Sequence, residues 1–357
     1  MNIRPMHNQS DIDVITWLRF PLMIGVVFWH NNLYALIEIW EGTAPQWPHW
    51  LIYIFNYLHL IILPAPVPVL FIISGYLFFR NVSTGECVPF ADKCKRRINS
   101  LLIPYLVWNT IAIIILYIRF NIVAKEGYTL ADYLSGYWDF SQRLGNDPAD
   151  GPLWYMRDLM IISICTPLLY QLLKRNSTAI LYFTIITACY VTNTGLYVTG
   201  FGGGAFMFFA IGAYIAIHNI NLTKIPHPIG IATLVLYIPS QLILNSIGDN
   251  AAAFLVTNII KITALFYLTT LLFNKNILKP TPGLTKICFL LYALHGIIIG
   301  PIMKALYTLP HSNNPFILLL IYIATPAIIV VLTAILNHFI QKHAPLLGNI
   351  LTGNRAR

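Results

Sequence analysis

Residues 12–37, IDVITWLRFPLMIGVVFWHNNLYALI, form an apolar run long enough to cross a bilayer, and it holds two residues that a lipid-facing helix would not keep without reason. Arg19 and His30 are separated by eleven positions. Eleven steps of an α-helix make three turns plus about 20°, so both side chains leave the same side, about 16 Å apart along the axis. A fixed cation and a titratable base on one intramembrane face are costly. Groups of this kind line a path through protein or water.

The rest of the chain agrees with a membrane reading. Of 357 residues, 57% are hydrophobic and 10% charged, against roughly 25% charged in soluble domains. That excludes a water-soluble globule and points to an all-α, polytopic integral membrane protein. The net charge of +9 is scattered over segment ends instead of forming one stripe, so no nucleic-acid partner is expected. The head at 1–10 is short and polar, Asp11 and Asp13 flank the first apolar run, and no small-residue cleavage site follows; this predicts a retained first helix. The cysteines Cys87, Cys94, Cys165, Cys189 and Cys288 show no metal-type clustering, and no metal is expected. Cys87 and Cys94 share one basic loop, which suits a reduced cytoplasmic setting better than a disulfide.

Ten spans fit, at about 12–37, 51–79, 98–118, 152–173, 178–197, 201–217, 228–247, 251–273, 284–303 and 315–339. The second is too long for one crossing and carries Pro64, Pro66 and Pro68, which predicts a kink or break with freed backbone groups lining a cavity. With the N-terminus inside, fifteen lysines and arginines fall on inner segments and four on outer ones, the other three lying within spans. That bias puts both termini in the cytoplasm: 1–11 at the start, 340–357 at the end, and a long outer loop at 119–151. The whole of 1–357 reads as a single transmembrane domain. Its outer loop gathers Glu126, Asp132, Asp139, Asp147 and Asp150 with Tyr128, Tyr133, Tyr137 and Trp138. Aromatic residues beside carboxylates suit sugar binding; an interfacial aromatic belt with solvated acids explains them equally well.

His30 lies about 27 Å from the start of its span, nearer the outer leaflet. A neutral imidazole there takes a proton from a hydroxyl, with Asn31 placed to orient it or the substrate. The competing reading is an interfacial histidine hydrogen-bonded to a neighbouring helix. Arg19, close to the inner end, either snorkels to headgroups or holds a phosphate while the reactive end of a long ligand extends toward His30. Together the two mark a channel for a long anionic acyl carrier, and the phosphopantetheine arm of coenzyme A is of the order of their separation.

Several segments, taken in order, resemble the acyltransferase-3 family of integral membrane acyltransferases. Arginine, ten residues, then histidine in RFPLMIGVVFWH is similar to that family's span-one signature. Phe71-Ile72-Ile73-Ser74-Gly75-Tyr76 resembles its "SGF/Y" segment, and Arg96-Arg97-Ile98 leading to Pro104-Tyr105 its basic lead-in to span three. Leu153-Trp154-Tyr155 resembles "LWF", the run from Phe206 to Tyr214 resembles "FFxxGY", and Leu291-Tyr292-Ala293-Leu294-His295 resembles "YxLYxxH". The chain departs from the pattern at Cys288-Phe289, where the family has Ser-Tyr, and at Met156-Arg157-Asp158.

The resemblance implies acyl transfer, most often acetyl, from cytoplasmic acetyl-CoA or another acyl-CoA to a hydroxyl of a glycan or lipid-linked saccharide at the outer face. His30 carries over as base or transient acyl carrier and Arg19 as its partner. Arg80, Lys93, Lys95, Arg96 and Arg97, the densest inner cluster, are candidates for the coenzyme A phosphates; the alternative is positive-inside charge on anionic lipid. Asn31, Ser74, Trp154, Arg157, Asp158 and His295 are candidates for the acceptor side. For Ser74 the alternative is helix packing, and for His295 a buried hydrogen bond. Lys261 lies nearly mid-membrane and needs a partner or water. Gly202-Gly203-Gly204 opens a helix with no preceding strand, so close helix packing is expected there instead of a phosphate loop. The expected setting is a bacterial inner (cytoplasmic) membrane, with membrane lipids as partners and homodimerisation left open. A transporter or flippase of a sugar or lipid intermediate is the alternative function.

Overall fold

A computed structural model describes residues 9–58, 66–82, 90–125, 127–139, 147–192, 203–248, 250–310 and 313–353. The helices are α1 (Gln9–His30), α2 (Leu33–Glu41), α3 (His49–Tyr57), α4 (Pro66–Phe79), α5 (Phe90–Tyr117), α6 (Leu130–Ser135), α7 (Trp154–Leu173), α8 (Asn176–Val191), α9 (Gly203–Ile217), α10 (His227–Ile247), α11 (Ala251–Asn274), α12 (Pro282–Thr285), α13 (Cys288–Thr308), α14 (Pro315–His343) and α15 (Pro345–Thr352). A π-helical turn, Ile118–Val123, continues α5, and a 3-10 turn, Gly151–Leu153, leads into α7. There is no strand among the described residues. This is an all-α, polytopic membrane architecture. Among the described residues seven helical stretches are long and apolar enough to cross a bilayer, and α4, α8 and α9 are shorter apolar helices.

Each of the ten predicted spans corresponds to one of these apolar helices, with two informative differences. Residues 12–37 are not one helix: α1 stops at His30 and α2 starts at Leu33. Two asparagines make the break: Asn32 caps α2, accepting from the Ala35 N–H at 3.2 Å, and Asn31 turns its side chain to another helix. In span 51–79 the described helices are α3 and α4; the residues between them, 59–65 with Pro64, lie outside the described residues, as do Cys87, Glu126 and Gly202.

The helices gather into two compact units. One comprises Met1–Leu22, Pro64–Arg97 and Asp158–Thr285; the other Met23–Leu63, Ile98–Arg157 and Lys286–Arg357. In the first, α4 packs on α9, α8 on α9, and α10 on α11. Its polar knot is Asp11, 1% exposed, whose carboxylate accepts from Tyr76 OH (3.0 Å), Thr223 N (3.1 Å) and Thr223 Oγ1 (2.5 Å). The acid that flanks the first apolar run is therefore an internal fastening for α1. Lys261 is fastened too: its ammonium donates to Gln241 Oε1, sits 5.7 Å from the Tyr237 ring centroid, and Gln241 in turn donates to Asn245.

Prolines explain several contacts between helices. A proline has no N–H to offer the carbonyl four residues earlier, and neighbouring side chains use the freed oxygen. Pro167 frees Ser163 O, which accepts from Cys94 Sγ at 3.0 Å in the first unit. In the second unit Pro326 frees Tyr322 O, which accepts from Asn31 Nδ2 at 2.6 Å. There too α13 packs on α14 and α14 on α15, and Trp108 Nε1 donates to Leu351 O at 3.0 Å.

Candidate functional site

His30 is the last residue of α1, at the break before α2, and is half-buried. Across from it in the second unit stands His295 on α13, 0% exposed, with ring centroids 5.2 Å apart and planes at 51°. His295 Nδ1 lies 3.1 Å from Leu291 O. A carbonyl only accepts, so Nδ1 carries a proton and Nε2 is the ring nitrogen left to other partners. That Nε2 is buried and has no hydrogen-bond partner among the described residues.

The two segments that resembled "LWF" and "YxLYxxH" meet beside this pair. Tyr292 donates its hydroxyl to Pro152 O, its ring is 6.1 Å from that of Tyr155 and 6.2 Å from that of His295. Two residues ahead of Pro152 is Asp150, 2% exposed. Its backbone N–H donates to Asn109 Oδ1 at 3.1 Å, while neither carboxylate oxygen has a hydrogen-bond partner among the described residues. Oδ1 occupies the space a side chain would need at position 296, where a Cβ would come within 2.6 Å of it; Gly296 follows His295. Burial pushes the Asp150 carboxyl well above the usual carboxylate range, because an ionised, unsolvated carboxylate is costly.

Of the two alternatives for the acids of the outer loop, sugar binding or solvation, Asp150 does not fit solvation: it is buried against the helix that bears His295. Its folded-state proton makes a prediction whose sign is fixed. An unfolded aspartate ionises near about 3.9, whereas the folded one holds its proton to higher pH. The folded state binds more protons over that interval, so stability falls as pH rises. Asp150→Asn is expected to flatten this decline. Thermal unfolding in detergent at pH 5 and pH 7.5 measures it; equal declines in variant and parent would refute a neutral Asp150.

The other candidates divide between the units. Arg157, 4% exposed, donates from Nη1 to Trp138 O at 2.7 Å and lies 5.6 Å from that indole's centroid. It thereby pins the loop of 119–151 to α7. The loop's tyrosines are engaged as well: Tyr133 OH donates to Asn121 Oδ1, Tyr137 OH pairs with Thr110 Oγ1 at 2.7 Å, and Tyr128 stacks on Phe120 at 4.9 Å. Thr129 and Asp132 form a capping box for α6. Trp154 is half-buried at the start of α7, in the same unit as His30, Asn31 and His295.

Arg19, Ser74, Arg80, Lys93, Lys95, Arg96, Arg97 and the buried Asp158 belong to the first unit. Lys93 donates to Phe78 O at 2.8 Å, and the Lys93 ammonium and Arg97 guanidinium lie 5.4 and 5.6 Å from the Phe78 ring. Cations at the C-terminal end of α4 also complement its dipole. Lys95 and Arg96 are exposed. The basic cluster is thus anchored at Phe78, with the exposed Lys95 beside it and Arg96 donating from Nε to Asp92 O at 3.3 Å. Among the described residues nothing comes within 4 Å of a Cβ at Gly203, whereas one at Gly204 would stand 3.2 Å from the Tyr190 ring, a close approach of the kind expected there; the most intimate contact of α9 is at Gly212.

The fold is that of a polytopic membrane protein, with two imidazoles facing each other at a helix break. Residues 12–335 match the family described as "Acyltransferase domain", the acyltransferase-3 family, and the chain belongs to it. It is therefore a membrane acyltransferase of the non-aminoacyl kind, and the transporter alternative is set aside. The chain is similar, at 22% identity over 365 aligned residues, to "Succinoglycan biosynthesis protein ExoH" of Rhizobium meliloti (strain 1021), covering 96% of this chain and 92% of the relative. No solved structure matches it.

Proposed function

We propose that the protein moves an acyl group, acetyl in the first instance, from cytoplasmic acyl-CoA to a hydroxyl of a glycan or lipid-linked saccharide at the outer face of a bacterial inner membrane, with both termini cytoplasmic. The observation that carries this reading is His30 at a helix break, facing a buried His295. The acceptor O–H gives its proton to the imidazole of His30 as the oxygen attacks the thioester carbonyl. The C–S bond breaks, and the departing thiolate takes that proton and leaves as coenzyme A. In the two-step variant the imidazole of His30 attacks first, the C–S bond breaks and coenzyme A leaves as the thiol with the imidazole N–H proton; the acceptor oxygen then takes the acyl group as the C–N bond breaks and its proton returns to the imidazole. In this reading His295, whose ring centroid lies 5.2 Å from that of His30, takes the N–H of His30 on Nε2 when substrate is bound and steadies its ring.

Arg19, eleven residues earlier on α1, is suited to a phosphate of the carrier, and Arg80, Lys93, Lys95, Arg96 and Arg97 to the nucleotide phosphates. Asn31, Ser74, Trp154, Arg157, Asp158 and His295 are assigned to the acceptor side, Arg157 by holding Trp138 in place. A saccharide acceptor is supported by the relative, whose name places it in succinoglycan biosynthesis.

The test uses purified protein in proteoliposomes, radiolabelled acetyl-CoA or succinyl-CoA, and oligosaccharides cut from deacylated succinoglycan. The expected result is label in the saccharide and one free thiol released per acyl group transferred. If neither thioester is consumed, the donor assignment fails.

A further inference from the structure

Buried polar atoms in folded proteins almost always have partners, and an exception asks for an explanation. Three exceptions in the second unit belong to one cluster. Asn31 Oδ1, Trp47 Nε1 and Tyr322 OH are all buried without a hydrogen-bond partner among the described residues. Asn31 is tied to Tyr322 through the 2.6 Å bond to its carbonyl. The Tyr322 ring meets Phe55 edge-on at 4.6 Å and Phe28 at 5.6 Å. Phe55 meets Trp47 at 5.2 Å, and Trp47 meets Tyr34 edge-on at 5.2 Å. The cluster begins one residue after His30.

The chemistry of the three atoms narrows the ligand. An indole N–H only donates, an amide oxygen only accepts, and a phenol does both. No charged side chain takes part in the contacts just described. An anion would satisfy the indole and be repelled by the amide oxygen; a cation would do the reverse. A neutral molecule with closely spaced hydroxyls and an apolar face meets all three, and aromatic rings suit the C–H faces of a pyranose.

We propose that Trp47, Tyr322 and Asn31, with the rings of Tyr34 and Phe55, form the subsite that holds one sugar ring of the acceptor next to His30. This rests on the saccharide-acceptor reading above and adds to it two residues, Trp47 and Tyr322, that no motif marks. All three atoms are sealed in the structure, so the sugar enters by displacing Trp47. That residue rides on segment 42–48 between α2 and α3, which starts at Gly42 with φ +70°.

The experiment is calorimetric binding of the deacylated succinoglycan oligosaccharides to the full-length protein, without acyl-CoA, in wild type, Trp47→Phe and Tyr322→Phe. Both variants keep the ring and delete only the polar atom. Each is expected to weaken saccharide binding about tenfold, the scale of one lost hydrogen bond, and to leave the KM for acyl-CoA within about twofold. Binding equal to wild type in both variants, together with a higher unfolding temperature, would mean that the atoms are merely unpaired or watered, and would overturn the subsite. So would absence of saccharide binding by the wild type. Saccharide binding that depends on Trp47 and Tyr322, found alongside no thioester consumption, would remove the donor reading and leave this site standing.

Discussion

His30→Ala is expected to lower acyl transfer by about 10³-fold while the protein stays folded and inserted. The size follows from general-base catalysis, which contributes about 10²–10⁴-fold when the proton moves in the transition state. The fold is expected to tolerate the change because His30 is half-buried at the end of α1, where its side chain fills no enclosed core. The Asn31 bond to Tyr322 O, which fastens the break, does not involve the imidazole. His295→Asn is expected to be milder, about 10–100-fold, since it removes an acceptor that steadies the base and leaves the base itself. Initial rates of thiol release in proteoliposomes measure both, with thermal unfolding as the control. Added imidazole should restore part of the His30→Ala rate, which a purely structural role would not allow. A His30→Ala protein that retains full activity would sink the mechanism.

Much of this architecture is legible from one-dimensional patterning, because apolar runs of span length leave a chain few options besides helices. The break after His30 is harder to see. Asn31-Asn32 sits inside a run whose average hydropathy stays high, and the asparagines end α1 only by capping α2 and reaching a carbonyl 291 residues away. Asp11 looks like a flanking charge until Tyr76 and Thr223, 65 and 212 residues distant, close around it. Asp150 is disguised by the acidic loop it ends; the cue, in hindsight, is an acid set directly before Gly-Pro-Leu-Trp-Tyr. Of the site, His30, Asn31 and His295 stand out because histidine and asparagine are unusual in apolar helices. Trp47 and Tyr322 do not, since aromatic residues are common at membrane interfaces and only tertiary contacts show that their polar atoms are orphaned.

Gly75→Ala and Gly212→Ala are each expected to unfold or badly destabilise the first unit. These two glycines let α4 and α9 touch backbone to backbone. A Cβ at Gly75 would stand 2.0 Å from Phe209 O and 3.0 Å from Ala213 N; one at Gly212 would stand 1.9 Å from Ile72 O and 2.9 Å from Tyr76 N. Such obstacles are main chain, with no rotamer to relieve them, so the helices must separate. Inside a membrane that separation forfeits the close packing on which helix association depends. Overpacking a core costs about 1–3 kcal/mol where side chains can adjust, and here the cost should exceed that range. Tyr76 is on the moving helix, so its hydroxyl would also be drawn from Asp11. Gly203→Ala is the matched control: it opens the same α9, has nothing within 4 Å of its Cβ position, and should stabilise by a few tenths of a kcal/mol. Yield and unfolding temperature in detergent distinguish the three. Because both damaging variants strike one interface, the double variant should fall short of additivity. A Gly212→Ala protein with the unfolding temperature of Gly203→Ala would show that α4 and α9 do not approach so closely.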